Sequence, residues 1–259
     1  MGAVAPYAAM SVNPVAAKGF EAAADAYVRG RPSYPAEAIS WLQEQCALGP
    51  GATVVDVAAG TGKFTEALVE LGGTVIAVEP VAAMRSALTD VFPGVTALEG
   101  SADALPLAAA SADTITVAQA FHWFAGEPAL AEFARVLRDD GRLVLVWNTR
   151  DQSQPLWREV SRIIGSLQRD TPRHGSGQWR QAMSDTSWFR PLAEARFENR
   201  QLVDRAGFVD RVGSTSFIAA LAPAPRAEVL GEIAALVADD PEPIALEHVT
   251  EVYVFGRQV

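Results

Sequence analysis

The most informative segment of this 259-residue sequence is Asp56-Val57-Ala58-Ala59-Gly60-Thr61-Gly62-Lys63-Phe64-Thr65. It joins a β-branched run at 53–57, which predicts a buried strand, to a helical pattern at about 63–71. Glycines at a strand-to-helix turn let the backbone pass close to a ligand and direct its amides at it. A turn that binds nothing can use the same glycines, so position alone leaves both interpretations open.

The alternation of strand and helix continues after this segment. Short apolar runs at 74–78, 95–98, 113–117 and 142–147 predict strands, and helical patterns fill 82–91 and 128–137. Further on, 219–238 has a helical pattern and 247–255 alternates like a strand at a sheet edge. Continuous apolar strands alternating with helices predict a doubly wound, mostly parallel α/β sheet with helices on both faces.

Residues 152–200 break this rhythm. They are polar and contain three of the six tryptophans, Trp157, Trp179 and Trp188, with Gly175 and Gly177 as hinge candidates. Long insertions in compact domains are commonly functional, so we predict a lid on the substrate side of the site. The open alternative is that the indoles fill a satellite core beneath a passive loop. The remaining pattern predicts one domain over 20–259 after a flexible tail at 1–19.

Composition narrows the class of partner. Lys and Arg number 21 against 31 Asp and Glu, which gives a net charge of −10. This charge argues against a nucleic acid or an anionic membrane as partner and suits a small molecule. No apolar run is long enough to span a bilayer, and no signal-peptide pattern occurs, so we expect a cytoplasmic protein. The single cysteine, Cys46, predicts a buried thiol, and the three histidines lie too far apart to suggest a metal site.

Three features favour a particular ligand for the glycine-containing turn. A dinucleotide fingerprint would place a third glycine where this chain has Thr65, which weakens the case for a pyrophosphate. Asp56 ends the first strand and suits a cationic or hydrogen-bond-donating ligand. Glu79 ends the second strand, where a carboxylate can accept both hydroxyls of a ribose. A solvated strand end is the alternative for Glu79.

Together these residues resemble the class I methyltransferase family. Asp56 to Gly62 match its first motif, with Ala58 in place of the usual first glycine. Alanine fits there if φ is negative, whereas a positive φ would question our placement of the loop. The resemblance implies S-adenosylmethionine as cofactor and a seven-stranded, Rossmann-like sheet with an antiparallel edge strand.

The resemblance also implies the roles of individual residues. The backbone from Ala58 through Gly60 to Gly62 would lie along the amino acid part of the cofactor, and Glu79 would hold the ribose. Pro80 and Met84 would pack near the adenine, although a methionine there is also ordinary core. After the third strand, Ala102 and Asp103 resemble the adenine-contacting loop of the family. Aspartate is equally a common turn residue.

The run Gln119-Ala120-Phe121-His122-Trp123 follows the fourth strand and is similar to that of a small-molecule branch of the family. It implies that Gln119 faces the methionine part of the cofactor, with His122 as first choice for a catalytic base and Trp123 near the acceptor. A structural histidine is the alternative. Upstream, the resemblance implies that Arg31 pairs with the cofactor carboxylate and that Tyr27 lies near the sulfonium. A surface loop with solvated arginines is the alternative there.

The end of the fifth strand supplies the remaining candidates. Trp147, Asn148 and Arg150 are expected around the acceptor, unless they form only a well-packed turn. We predict methyl transfer to a small molecule by in-line displacement. Two alternatives remain: a cofactor-binding protein without turnover, and an NAD(P)-dependent oxidoreductase, which the absence of a Tyr-x-x-x-Lys pair disfavours. The sequence leaves the acceptor and the methylated atom undetermined, along with the choice between monomer and homodimer.

Overall fold

A computed structural model describes residues 30–168 and 172–258 of the chain. The tail predicted at 1–19 and the predicted cofactor residue Tyr27 lie outside these ranges. Within them, every helix is too short or too polar to cross a membrane. Cys46 is buried, as predicted, and burial raises the pKa of its thiol to about 12.

The described chain folds around one seven-stranded sheet with the strand order β3-β2-β1-β4-β5-β7-β6. The strands are β1 Thr53–Val57, β2 Thr74–Val78, β3 Thr96–Leu98, β4 Ala112–Ala118, β5 Leu137–Arg150, β6 Phe189–Val203 and β7 Ile244–Arg257. The first five strands pair with one another in parallel, and β7 is antiparallel to both β5 and β6. The expected mostly parallel, Rossmann-like sheet with antiparallel pairing at one edge is confirmed.

One described helix precedes β1, and the others lie between successive strands. The helices are α1 Ala36–Gln45, α2 Thr65–Glu70, α3 Ala82–Val91, α4 Glu127–Val136, α5 Pro155–Ile164, α6 Gln178–Asp185, α7 Arg205–Gly213, α8 Ser216–Ala219 and α9 Pro223–Ala235. Single 3-10 turns lie at Phe121–Trp123, Gly165–Leu167 and His174–Ser176. The bounds predicted for the strands 53–57 and 74–78 and for the helix 82–91 match the structure. The two strand runs are apolar, the helix has apolar residues at helical spacing, and each segment ends at a turn signal.

Successive strand residues point to opposite faces of the sheet and build two apolar clusters. Val55 belongs to the cluster that includes Phe133 of α4, whereas Val54 belongs to the cluster that includes Leu42 of α1 and Leu68 of α2. A third cluster joins α5, α7, α8 and α9 around Trp157. The sheet is thus covered on both faces. Its carboxyl edge remains accessible to the loops that follow the parallel strands.

Two predicted boundaries are wrong. Residues 189–200 belong to β6, so the predicted insertion 152–200 ends near Trp188; polar side chains on this exposed edge strand hid its strand character. The strand predicted at 247–255 is not the outermost one, because β6 pairs along its other side. Within the shortened insertion, Trp157 and Trp179 are each 1% exposed and pack into apolar clusters, as the satellite-core alternative requires.

Candidate functional site

One cavity of about 370 Å³ opens where β1, β2 and β4 end. Parallel strands place their carboxyl ends at one edge, which is where ligands bind in such sheets. Predicted residues that follow β1, β2, β3 and β4 line it: Ala58, Gly60, Glu79, Pro80, Met84, Ala102, Asp103, Gln119, His122 and Trp123. Among its lining residues in the described ranges are two carboxylates, Glu79 and Asp103, and no Arg or Lys. We call it the carboxylate cavity.

Glu79 ties the glycine-containing turn to the end of β2. One carboxylate oxygen accepts the backbone N–H of Gly60 at 2.9 Å, and the other accepts that of Val81 at 2.9 Å. Burial raises the pKa of this carboxyl, and the two backbone hydrogen bonds oppose that rise. The side chain therefore fixes the shape of the turn while it contributes a carboxylate to the cavity wall.

The turn has a backbone conformation that the sequence analysis did not expect. Ala58 has φ of +56°, and Gln119, at the end of β4, has φ of +61°. The negative φ at which alanine would fit without strain is therefore not the one that Ala58 has. The loop nevertheless lies where it was placed: the Ala58 N–H donates to the Val78 carbonyl at 2.8 Å, and Ala58 lines the cavity. The chain accepts a left-handed alanine, which costs about 1–2 kcal/mol, to keep that geometry.

Asp56 and Gly62, both predicted to bind the cofactor, line neither cavity described here. Asp56 is 1% exposed and accepts hydroxyl hydrogen bonds from Thr65 at 2.7 Å and Thr116 at 3.0 Å. Burial raises its pKa to about 6. A Cβ at Gly62 would lie 2.8 Å from the Phe92 ring, so this glycine allows α3 and its following turn to pack against the loop. Both residues support the turn from behind.

A second cavity, of about 380 Å³, lies beside the first on the side of β5. Four arginines line it, Arg31, Arg150, Arg173 and Arg211, and its described lining residues include no Asp or Glu. We call it the arginine cavity. The two cavities share the lining residues Gln119, His122, Trp123 and Pro172, so a ligand in one would lie next to a ligand in the other.

His122 stands between the cavities and is held by Trp147. The indole Nε1–H of Trp147 donates to Nδ1 of His122 at 3.2 Å. An indole can only donate, so Nδ1 accepts and the neutral ring carries its proton on Nε2. Burial lowers the pKa of His122 to about 3, with the charges of His174 and Arg31 acting in the same direction. The ring is therefore neutral near pH 7 and offers a donor, which does not favour the base predicted from the sequence.

The three residues predicted at the end of β5 all line the arginine cavity. Asn148 is also fully engaged in the structure: its Nδ2 donates to the Ser33 carbonyl at 3.2 Å, and its Oδ1 accepts from Thr250 at 2.6 Å. It thus fastens the segment before α1 to the sheet. Arg31, predicted to meet the cofactor carboxylate, lines the arginine cavity instead of the carboxylate cavity and donates to the Ser214 carbonyl at 3.0 Å.

Several lining residues were not singled out from the sequence. Phe124 and Gln178 line the carboxylate cavity, and Arg173, His174 and Arg211 line the arginine cavity. These side chains come from segments that follow no shared motif, so only the tertiary fold brings them together. The Gln119-to-Trp123 run contained a usable signal for Phe124, because an aromatic residue continues the run directly.

Residues 55–145 match the family model described as a methyltransferase domain, in agreement with the resemblance predicted from the sequence. The chain is 49% identical over 146 residues to an uncharacterized methyltransferase of Mycobacterium tuberculosis, covering 56% of this chain and 58% of that protein. An uncharacterized methyltransferase-like protein of Schizosaccharomyces pombe is 39% identical over 154 residues, covering 59% of this chain and 60% of that protein.

Matched regions thus span about three fifths of the length of these curated relatives. Among solved structures, a candidate type II methyltransferase from Anaeromyxobacter dehalogenans superposes with a TM-score of 0.66 at 27% identity, covering 87% of this chain and 97% of the other. The YcgJ protein of Bacillus subtilis gives a TM-score of 0.57 at 18% identity, covering 86% and 99%. The second likeness concerns the fold alone.

Proposed function

We propose that this protein transfers a methyl group from S-adenosylmethionine to a small-molecule acceptor. The observation that carries the proposal is the convergence of Gly60, Glu79, Asp103 and Gln119 on one cavity at the carboxyl edge of a methyltransferase domain. The cofactor would occupy the carboxylate cavity, and the acceptor would enter from the arginine cavity.

The carboxylate cavity has the chemistry that this cofactor needs. Glu79 and Asp103 can accept hydrogen bonds from hydroxyl and amino groups, and Met84 provides an apolar surface. A Cβ built at Gly60 meets only the Met84 sulfur within 4 Å, at 3.9 Å, so the backbone there is open to a ligand. A dinucleotide would bring two negative phosphates beside two carboxylates with no lining Arg or Lys in the described ranges to balance them. This charge pattern disfavours the oxidoreductase alternative.

When bound, S-adenosylmethionine would supply a methyl group from a positively charged sulfonium. In an in-line displacement the sulfur would depart readily as a neutral thioether. The residues of this chain have to hold the two reactants in line, which is the main source of acceleration for such a reaction. Gln119 and Trp123 line both cavities and would separate and orient the reactants. We propose that His122 donates a hydrogen bond from Nε2 to the acceptor and does not take its proton.

Calorimetry with S-adenosylmethionine, S-adenosylhomocysteine and NAD tests the cofactor directly. We expect both sulfur compounds to bind and to raise the melting temperature, since a ligand of the native state stabilises it by mass action. Binding of NAD in preference to either compound would refute the proposal. Binding of the cofactor without methyl transfer to any acceptor would instead support the alternative function, that of a cofactor-binding protein without turnover.

A variant pair tests the assignment of Glu79. Glu79→Ala should weaken cofactor binding by about 1–3 kcal/mol, because ribose hydroxyls would lose a charged acceptor. Glu70→Ala removes an exposed carboxylate on α2 and serves as the matched control. Circular dichroism checks that both variants fold. Equal affinities in two folded variants would show that Glu79 only supports the turn.

A further inference from the structure

The arginine cavity is unusual in a chain with a net charge of −10. Four arginines, Arg31, Arg150, Arg173 and Arg211, approach one space of about 380 Å³ that is adjacent to the carboxylate cavity. Its other lining side chains in the described ranges are neutral or histidine, with no carboxylate among them. Positive charge is therefore concentrated where the acceptor of the proposed function would bind.

Arg150 shows how this charge is held in place. Its guanidinium donates to the Thr215 hydroxyl at 3.1 Å, and its central carbon lies 5.2 Å from the centre of the Trp157 ring. Both contacts are with neutral groups. The Nε of Arg150 is buried and has no hydrogen-bond partner within the described chain. Burial and the charge of Arg31 lower the pKa of Arg150 to about 10, so the guanidinium remains charged near pH 7.

A second observation shows that the positive field extends through the neighbouring core. His248 is 2% exposed and contacts the Trp157 ring at 5.1 Å between centres. Burial is the main cause that lowers its pKa to about 3, and the charges of Arg211, Arg150 and Arg31 lower it further, against the hydrogen bond to the Leu246 carbonyl. Burying the guanidinium of Arg150, whose contacts with Thr215 and Trp157 are with neutral groups, costs energy unless an anion balances it.

We propose that the acceptor of this enzyme carries an oxyanion group, a carboxylate or a phosphate, which binds in the arginine cavity at Arg150. This inference rests on the proposed function and names the substrate class of its second cavity. The planar fork of a guanidinium binds both groups through paired hydrogen bonds, so the shared chemistry is that of an anionic oxygen pair. Arg31, Arg173 and Arg211 would add charge around it, and His122 would approach from the cofactor side.

Small probes test the cavity without an activity assay. Acetate, inorganic phosphate and acetamide are titrated at constant ionic strength into protein saturated with S-adenosylhomocysteine, and the indole N–H resonances are followed by nuclear magnetic resonance. Trp157→Phe assigns the reporter beneath Arg150. We expect acetate or phosphate to shift the Trp157 signal and acetamide, which has the shape of acetate but no charge, to leave it unchanged. The comparison of acetate with inorganic phosphate distinguishes an acceptor that carries a carboxylate from one that carries a phosphate.

Variants then locate the binding. Arg150→Gln should weaken anion binding about tenfold, as expected for the loss of a charge-assisted hydrogen bond. Arg173→Gln alters an exposed residue that lines the cavity. It should weaken anion binding less than Arg150→Gln does and should leave the fold unchanged. Arg162→Gln, whose side chain is 69% exposed in a surface ion pair with Glu159, is the control and should have no effect.

The outcomes separate this inference from the proposed function. Equal shifts by acetamide and the anions, no shift by either anion, or unchanged anion binding in both cavity variants would overturn the oxyanion assignment. Each of these results leaves cofactor binding intact. Failure of S-adenosylhomocysteine to bind in the same samples would overturn the proposed function, while the anion titrations would still report on the arginine cavity.

Discussion

The carboxylate cavity and the arginine cavity have similar volumes, share four lining residues and have opposite charge. The first includes Glu79 and Asp103 with no Arg or Lys among its described lining residues, and the second includes four arginines with no Asp or Glu. They also differ in origin. The first is built mainly from residues that follow four strands, β1 to β4, whereas the second depends on residues of the insertion and of α7.

The two cavities also hold their side chains in different ways. The strand ends hold their residues through backbone hydrogen bonds, such as those of Gly60 and Val81 to Glu79. In the arginine cavity, side chains are positioned by tertiary packing on Trp147 and Trp157. Under our proposal, the cofactor occupies the first cavity and the acceptor occupies the second.

Truncation of Trp179 tests the packing beneath the arginine cavity and has the largest expected effect on stability. Trp179 is 1% exposed, and its ring centre lies 4.6 Å from that of Trp147 and 4.9 Å from that of Tyr253. Trp179→Ala should lower the free energy of unfolding by about 3–5 kcal/mol, as large aromatic truncations in a core do. Chemical denaturation measures this loss.

Trp188→Ala is the control from the same insertion. Trp188 is 36% exposed, and its truncation should cost far less. The comparison decides the function of the segment that we predicted to be a lid. A lid would instead give Trp179→Ala a nearly normal melting temperature together with a raised acceptor KM or a lowered kcat.

Gly60→Val should block the carboxylate cavity selectively. A branched side chain at Gly60 would point into open space that the proposed cofactor needs, so binding of S-adenosylhomocysteine should fall by roughly a hundredfold or more. Gly60 has φ of +59°, so part of any change will be backbone strain. Calorimetry measures the affinity, and the acetate titration should be unchanged.

Gly51→Val separates strain from blockage. Gly51 also has a positive φ, of +86°, and its substituent would meet nothing within 4 Å, but it lies before β1, away from both cavities. Both variants should lose stability, and only Gly60→Val should lose cofactor affinity. Equal affinities in the two variants would disprove the assignment of the loop.

The pH dependence of stability tests the field around the arginine cavity. The folded-state pKa of His248, about 3, is below its ordinary value of 6.5, so the unfolded chain binds a proton more readily. The stabilisation is complete above pH 6.5 and is lost as the pH falls toward 3, by up to about 1.4 kcal/mol per pH unit. His248→Phe keeps a ring against Trp157 but removes the titration.

Denaturation curves between pH 7 and pH 4 measure this effect. The free energy of unfolding should fall more steeply with decreasing pH in the wild type than in His248→Phe, because only the unfolded wild type takes up a proton at residue 248. His122 titrates in the same direction and remains in both proteins, so some acid sensitivity persists. Parallel curves would mean that His248 does not experience the burial and charge described here.

Sequence reasoning recovered the part of the molecule that is determined locally. Strand ends are marked by short apolar runs and turn residues, so the sequence alone places Ala58, Gly60, Glu79, Asp103 and Gln119 at one edge of the sheet, where they line one cavity. Asp56 and Gly62 of the same loop, both predicted to bind the cofactor, line neither cavity and contact residues that are distant in sequence. Thr116 and Phe92 could not be assigned to them from spacing.

The arginine cavity was predicted less completely for the same reason. Arg150 follows a recognisable strand and was found, whereas Arg173 and Arg211 come from segments with no shared period. The strand β6 was missed because its residues are mostly half-buried or exposed, and an edge strand with polar side chains has no apolar alternation to detect. Backbone conformation was equally invisible, as Ala58 shows.

Ala58→Gly has the smallest expected effect and tests the conformation of the loop itself. Ala58 has φ of +56°, where an alanine costs about 1–2 kcal/mol relative to glycine, and glycine adds about 0.4–1 kcal/mol of entropy to the unfolded chain. The net gain in the free energy of unfolding should be about 0.5–1 kcal/mol, measured by chemical denaturation. Ala110→Gly is the control, since Ala110 has φ of +52°, is exposed and lines neither cavity. Both variants should gain stability, and neither should bind S-adenosylhomocysteine more weakly than the wild type, because the loop would contact the ligand through its backbone. A loss of stability in Ala58→Gly, with a gain in Ala110→Gly, would show that the Ala58 methyl packs usefully and that the strained turn is not the conformation in solution.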